Sequence, residues 1–141
     1  MRVRATVAYD GGAFSGFAVN DGVTTVAGVI EAALARRLGV ATTIACAGRT
    51  DKGVHALGQV ISFDVPDDVD LARLHRSLDA LVGADIAVLE LGATSSDFDA
   101  RFSARWRRYR YEVSTRRFPD PFEARRAWAV REPLDLRAMR Q

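Results

Sequence analysis

Arg49 and Asp51 stand two residues apart in the stretch Ala47, Gly48, Arg49, Thr50, Asp51, Lys52, Gly53, Val54, His55. A guanidinium beside a carboxylate orients it and favours its charged form, which is what a nucleophile or a general base needs. The same residues also make a good β-turn, since Thr-Asp-x-Gly places Asp early and Gly late. Both readings stand on the residues alone. His55 could serve as a proton donor, a phosphate contact or a plain hydrogen-bonding side chain. No second His or carboxylate stands at ligand spacing near Asp51 or His55, so no metal centre is expected. Nothing resembles a Ser-His-Asp set, and Asp10 lacks the partner carboxylate that a phosphotransfer site would use.

A loop of this kind needs a rigid support, and the flanking sequence supplies one. Val3, Ala5, Val7 and Tyr9 alternate with polar or small residues, which predicts a strand that Asp10, Gly11 and Gly12 end. The glycine-rich loop that follows, with Gly11, Gly12 and Gly16, matches neither the Rossmann nor the Walker spacing, and tight turns account for it. Val26, Val29, Ile30, Ala33, Leu34 and Leu38 recur at helical spacing, with Thr24 or Thr25 as cap and Gly39 as stop. Thr42 to Cys46 and Leu57 to Val65 are expected strands on either side of the charged loop. In the second of these, Val60 and Ser62 fall on one face and Gln59, Ile61 and Phe63 on the other, so both faces are expected to be partly covered. Asp70 caps a second helix carrying Leu71, Leu74, Leu78 and Leu81, which Gly83 breaks. His75 lies outside that stripe and is expected to be exposed. Ile86 to Leu91 is a fourth strand. The order strand, helix, strand, strand, helix, strand is the split βαβ, or ferredoxin-like, arrangement: α+β, an antiparallel sheet with helices on one face. The charged loop then projects from one end of that sheet, a usual home for chemistry.

Downstream, Arg107 to Ser114 is expected to extend the sheet as a fifth strand, with Tyr109, Tyr111 and Val113 on one face and Arg108, Arg110 and Glu112 on the other. Pro119 and Pro121 punctuate, Trp128 to Val130 is a sixth strand, and Pro133 to Leu136 starts a helix. Charge is uneven: residues 1–100 carry eight basic and thirteen acidic side chains, whereas 101–126 carry nine Arg against three acids. Arg-rich sequence interleaved with Trp106, Tyr109 and Tyr111 fits either a solvated strand face or a nucleic-acid partner, the latter because the guanidinium fork suits phosphate and aromatics stack on bases. The 141 residues make one domain. No apolar run approaches the roughly 18 residues that span a bilayer, so no membrane contact is expected. The N-terminus lacks a signal peptide's pattern, which reads as cytoplasmic. The single cysteine, Cys46, sits in an apolar run and is expected to be structural.

Ala47 to Ala56, with Gly58, Gln59 and Val60, is similar to the signature of the TruA family of tRNA pseudouridine synthases. Phe98 to Phe102 followed by Arg107, Arg108, Tyr109, Arg110 and Tyr111 resembles that family's second motif. Tyr9, Asp10 and Gly11 with Gly16 resemble its N-terminal one. The resemblance implies isomerisation of uridine to pseudouridine in the anticodon stem-loop of tRNA, without metal or organic cofactor, by a protein that forms homodimers. It implies Asp51 as nucleophile, Arg49 as its ion-pair partner and Tyr109 against the target uracil. Arg107, Arg108, Arg110 and His55 are then the candidate RNA contacts. It also implies that residues 1–141 are the N-terminal catalytic half, with the C-terminal half of the family fold absent. Two local departures stand out: Gly16, Phe17, Ala18 where Gly-Trp-Gln is usual, and Leu78 to Gly83 where Asn and Pro are usual. The alternatives are a non-catalytic ferredoxin-like RNA-binding module, although Leu57 to Phe63 lacks the paired aromatics of such modules, an inactive fragment of such an enzyme, or a protein-interaction domain in which Arg49 and Asp51 only pin a turn.

Overall fold

In the computed structural model, which describes residues 1–118 and 120–140, the chain divides into two units, Met1–Arg107 and Arg108–Gln141. Pro119, expected to punctuate the chain, lies outside the described residues. The first unit contains β1 (Arg2–Tyr9), α1 (Val26–Leu38), β2 (Ala45–Cys46), β3 (Ala56–Asp64), α2 (Leu71–Leu81) and β4 (Ile86–Ala93). Its four strands form one antiparallel sheet in the order β2-β3-β1-β4.

The alternation that predicts β1 is realised by burial: Val3, Ala5, Val7 and Tyr9 point into the core. Their partners across the ladders share that face, with Val3 opposite Phe63, Ala5 opposite Ile61 and Val7 opposite Val88. Ile30 and Leu34 of α1 and Leu74 and Leu78 of α2 close over the same residues in a single cluster, so both helices cover one side of the sheet. Thr25 caps α1 by accepting from the Gly28 N–H at 3.2 Å, and Gly39, at φ 75°, ends it in the left-handed conformation that glycine adopts without strain. Thr25 is buried, so Thr25→Ala is expected to cost about 1 kcal/mol of stability. A urea melt reads this directly, and an unchanged midpoint would remove the cap from the list of stabilising contacts. Asp70 caps α2 through the Arg73 N–H at 3.0 Å, a bond that holds its carboxyl below the usual carboxylate range.

The opposite face of the sheet is partly covered too, as the mixed pattern of β3 implies. Ser62 is fully buried, and its Oγ accepts from the Ala100 N–H at 3.0 Å and from Arg2 Nη2 at 3.3 Å. Arg2 also donates from Nε to the Phe98 carbonyl and pairs with Asp64, fixing the 98–100 segment over this end of the sheet.

Four expectations are corrected. The strand expected over Thr42 to Cys46 is a ladder only at Ala45–Cys46, because the Ile44 N–H turns to Glu31 Oε1 at 2.9 Å instead of a strand partner. His75 is not a plain exposed side chain: its Nε2 donates to the Val88 carbonyl at 2.6 Å, while Asp79, one turn later, accepts from the Val88 N–H at 2.9 Å. Both polar groups of one edge-strand residue are thereby satisfied from α2. Third, the fifth and sixth strands do not extend the four-stranded sheet. Among the described residues of the second unit, only Val113–Ser114 (β5) and Trp128–Ala129 (β6) pair, as a separate parallel two-stranded sheet. Tyr109 and Tyr111 are 62% and 90% exposed, so their shared face has no apolar cover among the described residues to hold a longer strand. The helix expected from Pro133 is a single 3-10 turn, Ala138–Arg140.

Candidate active site

Strand register brings two loops to the same end of the sheet. Tyr9 lies opposite Ala56 and also opposite Ile86, so the β1–α1 connection and the β2–β3 connection emerge side by side. The second of these is the Ala47 to His55 loop.

Its backbone is held at almost every step. The Ala47 N–H donates to the Val60 carbonyl at 2.9 Å, and Arg107 Nε donates to the Ala47 carbonyl at 2.5 Å. Buried Gln59 brackets Gly48: its Oε1 accepts from the Gly48 N–H at 3.2 Å and its Nε2 donates to the Gly48 carbonyl. The Phe17 N–H reaches the Thr50 carbonyl at 2.9 Å, and the Tyr9 hydroxyl lies 2.8 Å from Thr50 Oγ1. Across the turn, the Gly53 N–H donates to the Phe14 carbonyl at 3.4 Å and the Val54 N–H to the Asp51 carbonyl at 3.1 Å, with Gly53 at φ 80°. The side chains of Arg49, Asp51 and Lys52 project outward from this clamped backbone, all exposed.

The carboxylate of Asp51 plays no part in holding the turn. Asp10, Asp99, Asp120 and Asp135 each accept from a backbone N–H two residues on, which is how an Asp acts as a turn former. Among the described residues no donor occupies the Asp51 carboxylate, and no ion pair joins it to Arg49. Asp51 is thus a polar group on a rigid platform with its bonding capacity unspent, the condition in which a carboxylate can meet a substrate.

The other expected site residues fall in different places. Arg107 is in the first unit, but its guanidinium is engaged with the carbonyls of Ala47 and Arg101, so it anchors the loop. His55 is half-buried: its Nδ1 accepts from the Gly11 N–H at 3.1 Å and lies 3.1 Å from Asp10 Oδ1. Tyr109, Arg108 and Arg110 are in the second unit, where Arg110 pairs with Glu112 at 2.7 Å. Cys46 is half-buried, and burial pushes its thiol up, with Arg49, the Gly48 N–H, Arg101 and Arg107 pulling the other way. Three arginines therefore converge near the base of the loop. Beside them the exposed Phe102 ring carries the Arg101 guanidinium 5.5 Å from its centre. Tyr9, Thr50 and Gln59 are the positions that sequence reasoning left without a role. Their signal, a polar group on an otherwise core-facing strand position, is present in Tyr9 and Gln59.

Residues 5–103 match the family model described as tRNA pseudouridine synthase. The chain belongs to the tRNA pseudouridine synthase family. Among its relatives, tRNA pseudouridine synthase A of Myxococcus xanthus is 40% identical over 140 residues, covering 99% of this chain and 53% of the relative. That of Moorella thermoacetica is 42% identical over 139 residues, with 97% and 56% covered. That of a Jannaschia species is 45% identical over 134 residues, with 94% and 51% covered. The chain thus spans about half the length of the curated relatives it matches. Both loops at this end of the sheet lie inside the matched region, as do Arg49, Asp51 and His55, whereas Tyr109 lies beyond it. Phe17, standing where the family usually has Trp, is buried and packs its ring 6.1 Å from that of Tyr9. Among the described residues, no helix is long and apolar enough to cross a membrane.

Proposed function

We propose that this chain is the N-terminal, ferredoxin-like half of a tRNA pseudouridine synthase fold, carrying the nucleophile of a uridine-to-pseudouridine isomerase. The observation that carries the reading is Asp51, exposed and uncommitted on a turn whose backbone is held from both sides, inside a region that matches the family. The substrate is a uridine in the anticodon stem-loop of tRNA. Asp51 attacks the ribose C1′ or the ring C6, the N1–C1′ bond breaks, a C5–C1′ bond forms, and the bond to Asp51 breaks to restore the free carboxylate. The C5 proton leaves and N1 takes up a proton, so no atom is gained or lost and no cofactor is required. Arg49 pairs with Asp51 as the RNA closes over it, and Tyr109 stacks on the uracil, offsetting part of the unstacking cost by about 1–3 kcal/mol. Arg108 and Arg110, with the rest of the basic 101–126 segment, hold the RNA backbone, so affinity falls as salt rises. The complete protein works as a cytoplasmic homodimer.

Loss of the C5 proton makes the test direct. The chain, alone and joined to the C-terminal half of the Myxococcus xanthus relative, is incubated with tRNA tritiated at uridine C5. Tritium released into water by either form is the expected result. No release from either form, with tRNA still bound, would instead favour a non-catalytic RNA-binding module.

A further inference from the structure

We infer that the β1–α1 loop, Asp10 to Phe17, with Tyr9 and His55, is a positioning element for the Asp51 turn, so that His55 acts on the loop and not on RNA. This rests on the reading of Asp51 as nucleophile. The contact is backbone against backbone. A Cβ at Gly11 would lie 2.1 Å from the Val54 carbonyl oxygen and 2.9 Å from the Gly53 carbonyl carbon, so no other residue fits without moving the turn. Gly16 sits at φ 101°, and a Cβ there would meet the Thr50 oxygen at 3.1 Å and the Asp51 carbonyl carbon at 3.6 Å. The glycines that sequence spacing assigns to tight turns are therefore sites of close approach.

Hydrogen bonds complete the mould on both sides of Asp51. Phe17 and Tyr9 take Thr50, the residue before it, and Phe14 takes Gly53, two residues after it. His55 then locks the exit, with Nδ1 accepting from the Gly11 N–H at 3.1 Å and Asp10 Oδ1 beside it at 3.1 Å. The Asp51-Lys52-Gly53-Val54 turn closes by itself through the Val54 N–H and the Asp51 carbonyl, so the turn alone has no need of a second loop. What the second loop adds is a fixed height and direction for a side chain that nothing else holds. That is the requirement of a nucleophile, for which a displacement of about 1 Å costs about 100-fold in rate.

The test compares single-turnover pseudouridine formation with tRNA affinity in Gly11→Ala, His55→Leu, His55→Asn, Tyr9→Phe, Thr50→Val and the Tyr9→Phe/Thr50→Val pair. These are made in whichever form of the protein releases tritium. Gly11→Ala is expected to slow the reaction about 100-fold with affinity held within about twofold. His55→Leu should slow it about tenfold, and His55→Asn should restore most of that loss, because the amide oxygen can accept from the Gly11 N–H in place of Nδ1. Tyr9→Phe and Thr50→Val should each cost about fivefold and together less than the product of the two, since both remove the bond between them. Unchanged rates in Gly11→Ala and His55→Leu would overturn the proposal, as would affinity falling in step with rate, which would make this loop an RNA contact. Should Gly11→Ala fail to fold, the Tyr9 and Thr50 pair decides, with additive losses counting against positioning. Amide hydrogen exchange at Gly53 and Val54 separates the two levels of inference. If the parent protein forms no pseudouridine, the functional reading fails. Faster exchange there in His55→Leu and Tyr9→Phe still supports the mould, and unchanged exchange refutes it.

Discussion

Asp51→Ala is expected to abolish pseudouridine formation, a loss of about 10⁴-fold or more, while the protein folds and binds tRNA as before. The two halves of that expectation come from one feature of the structure. The carboxylate is exposed and takes no hydrogen bond from the described residues, whereas the turn is closed by the Asp51 carbonyl and held by Thr50 and Gly53. Truncating the side chain removes nothing the fold uses, so the melting free energy should stay within about 0.5 kcal/mol of the parent. Asp51→Asn sharpens the test, since it keeps the shape and removes the nucleophilic oxygen anion. Tritium release measured on the parent and both variants, beside a filter-binding titration with tRNA, reads rate and affinity separately. Residual release in Asp51→Ala near the parent level would exclude Asp51 as nucleophile. A large loss of stability would instead make it the turn former that Asp10 and Asp99 are.

Phe63→Ala should be the most destabilising single truncation in the first unit, at about 3–5 kcal/mol. Phe63 has the largest of the fully buried side chains, stands opposite Val3 across the β1–β3 ladder, and shares one cluster with Ile30 and Leu34 of α1 and Leu74 and Leu78 of α2. Removing the ring leaves a void walled by two helices and a sheet that cannot all close in. A denaturant melt gives the free energy. A cost below about 1 kcal/mol would mean that the helices do collapse onto the sheet and that the core is less tightly specified than its burial indicates. Since β3 begins at the exit of the Asp51 loop, this variant also links packing to function: the loop should lose order only when the sheet does.

Much of the scaffold was legible because its signals are local. Alternation in Val3 to Tyr9 can satisfy only a half-buried strand, and the stripe from Val26 to Leu38 between Thr25 and Gly39 can satisfy only a capped helix. The shortness of β2 was not legible, since it depends on Glu31, thirteen residues earlier, capturing the Ile44 N–H. Nor was the fate of Arg107 to Ser114, whose parity is clear but whose pairing partner is a matter of tertiary contact: only Val113–Ser114 ladders, and with Trp128–Ala129. His75 was misread because its partner, the Val88 carbonyl, is a backbone atom on another element that leaves no trace in residue type.

The charged loop divides the same way. Its residue types, and hence the chemistry open to it, belong to the sequence: a carboxylate, a guanidinium two residues away, and glycines that permit the turn. So does family membership, carried by residues in order along the chain. What only the tertiary structure decided is which carboxylates the fold spends, and that Asp51 is not one of them. Asp10, Asp99, Asp120 and Asp135 look no less like candidates on paper, and each is consumed by a backbone N–H close in sequence. Asp51 is left over because its turn closes through the backbone carbonyl, while the β1–α1 loop, brought alongside by strand register, holds Thr50 and Gly53 from outside. The closest of those approaches, Gly11 against Val54, joins positions more than forty residues apart through backbone atoms that every residue shares.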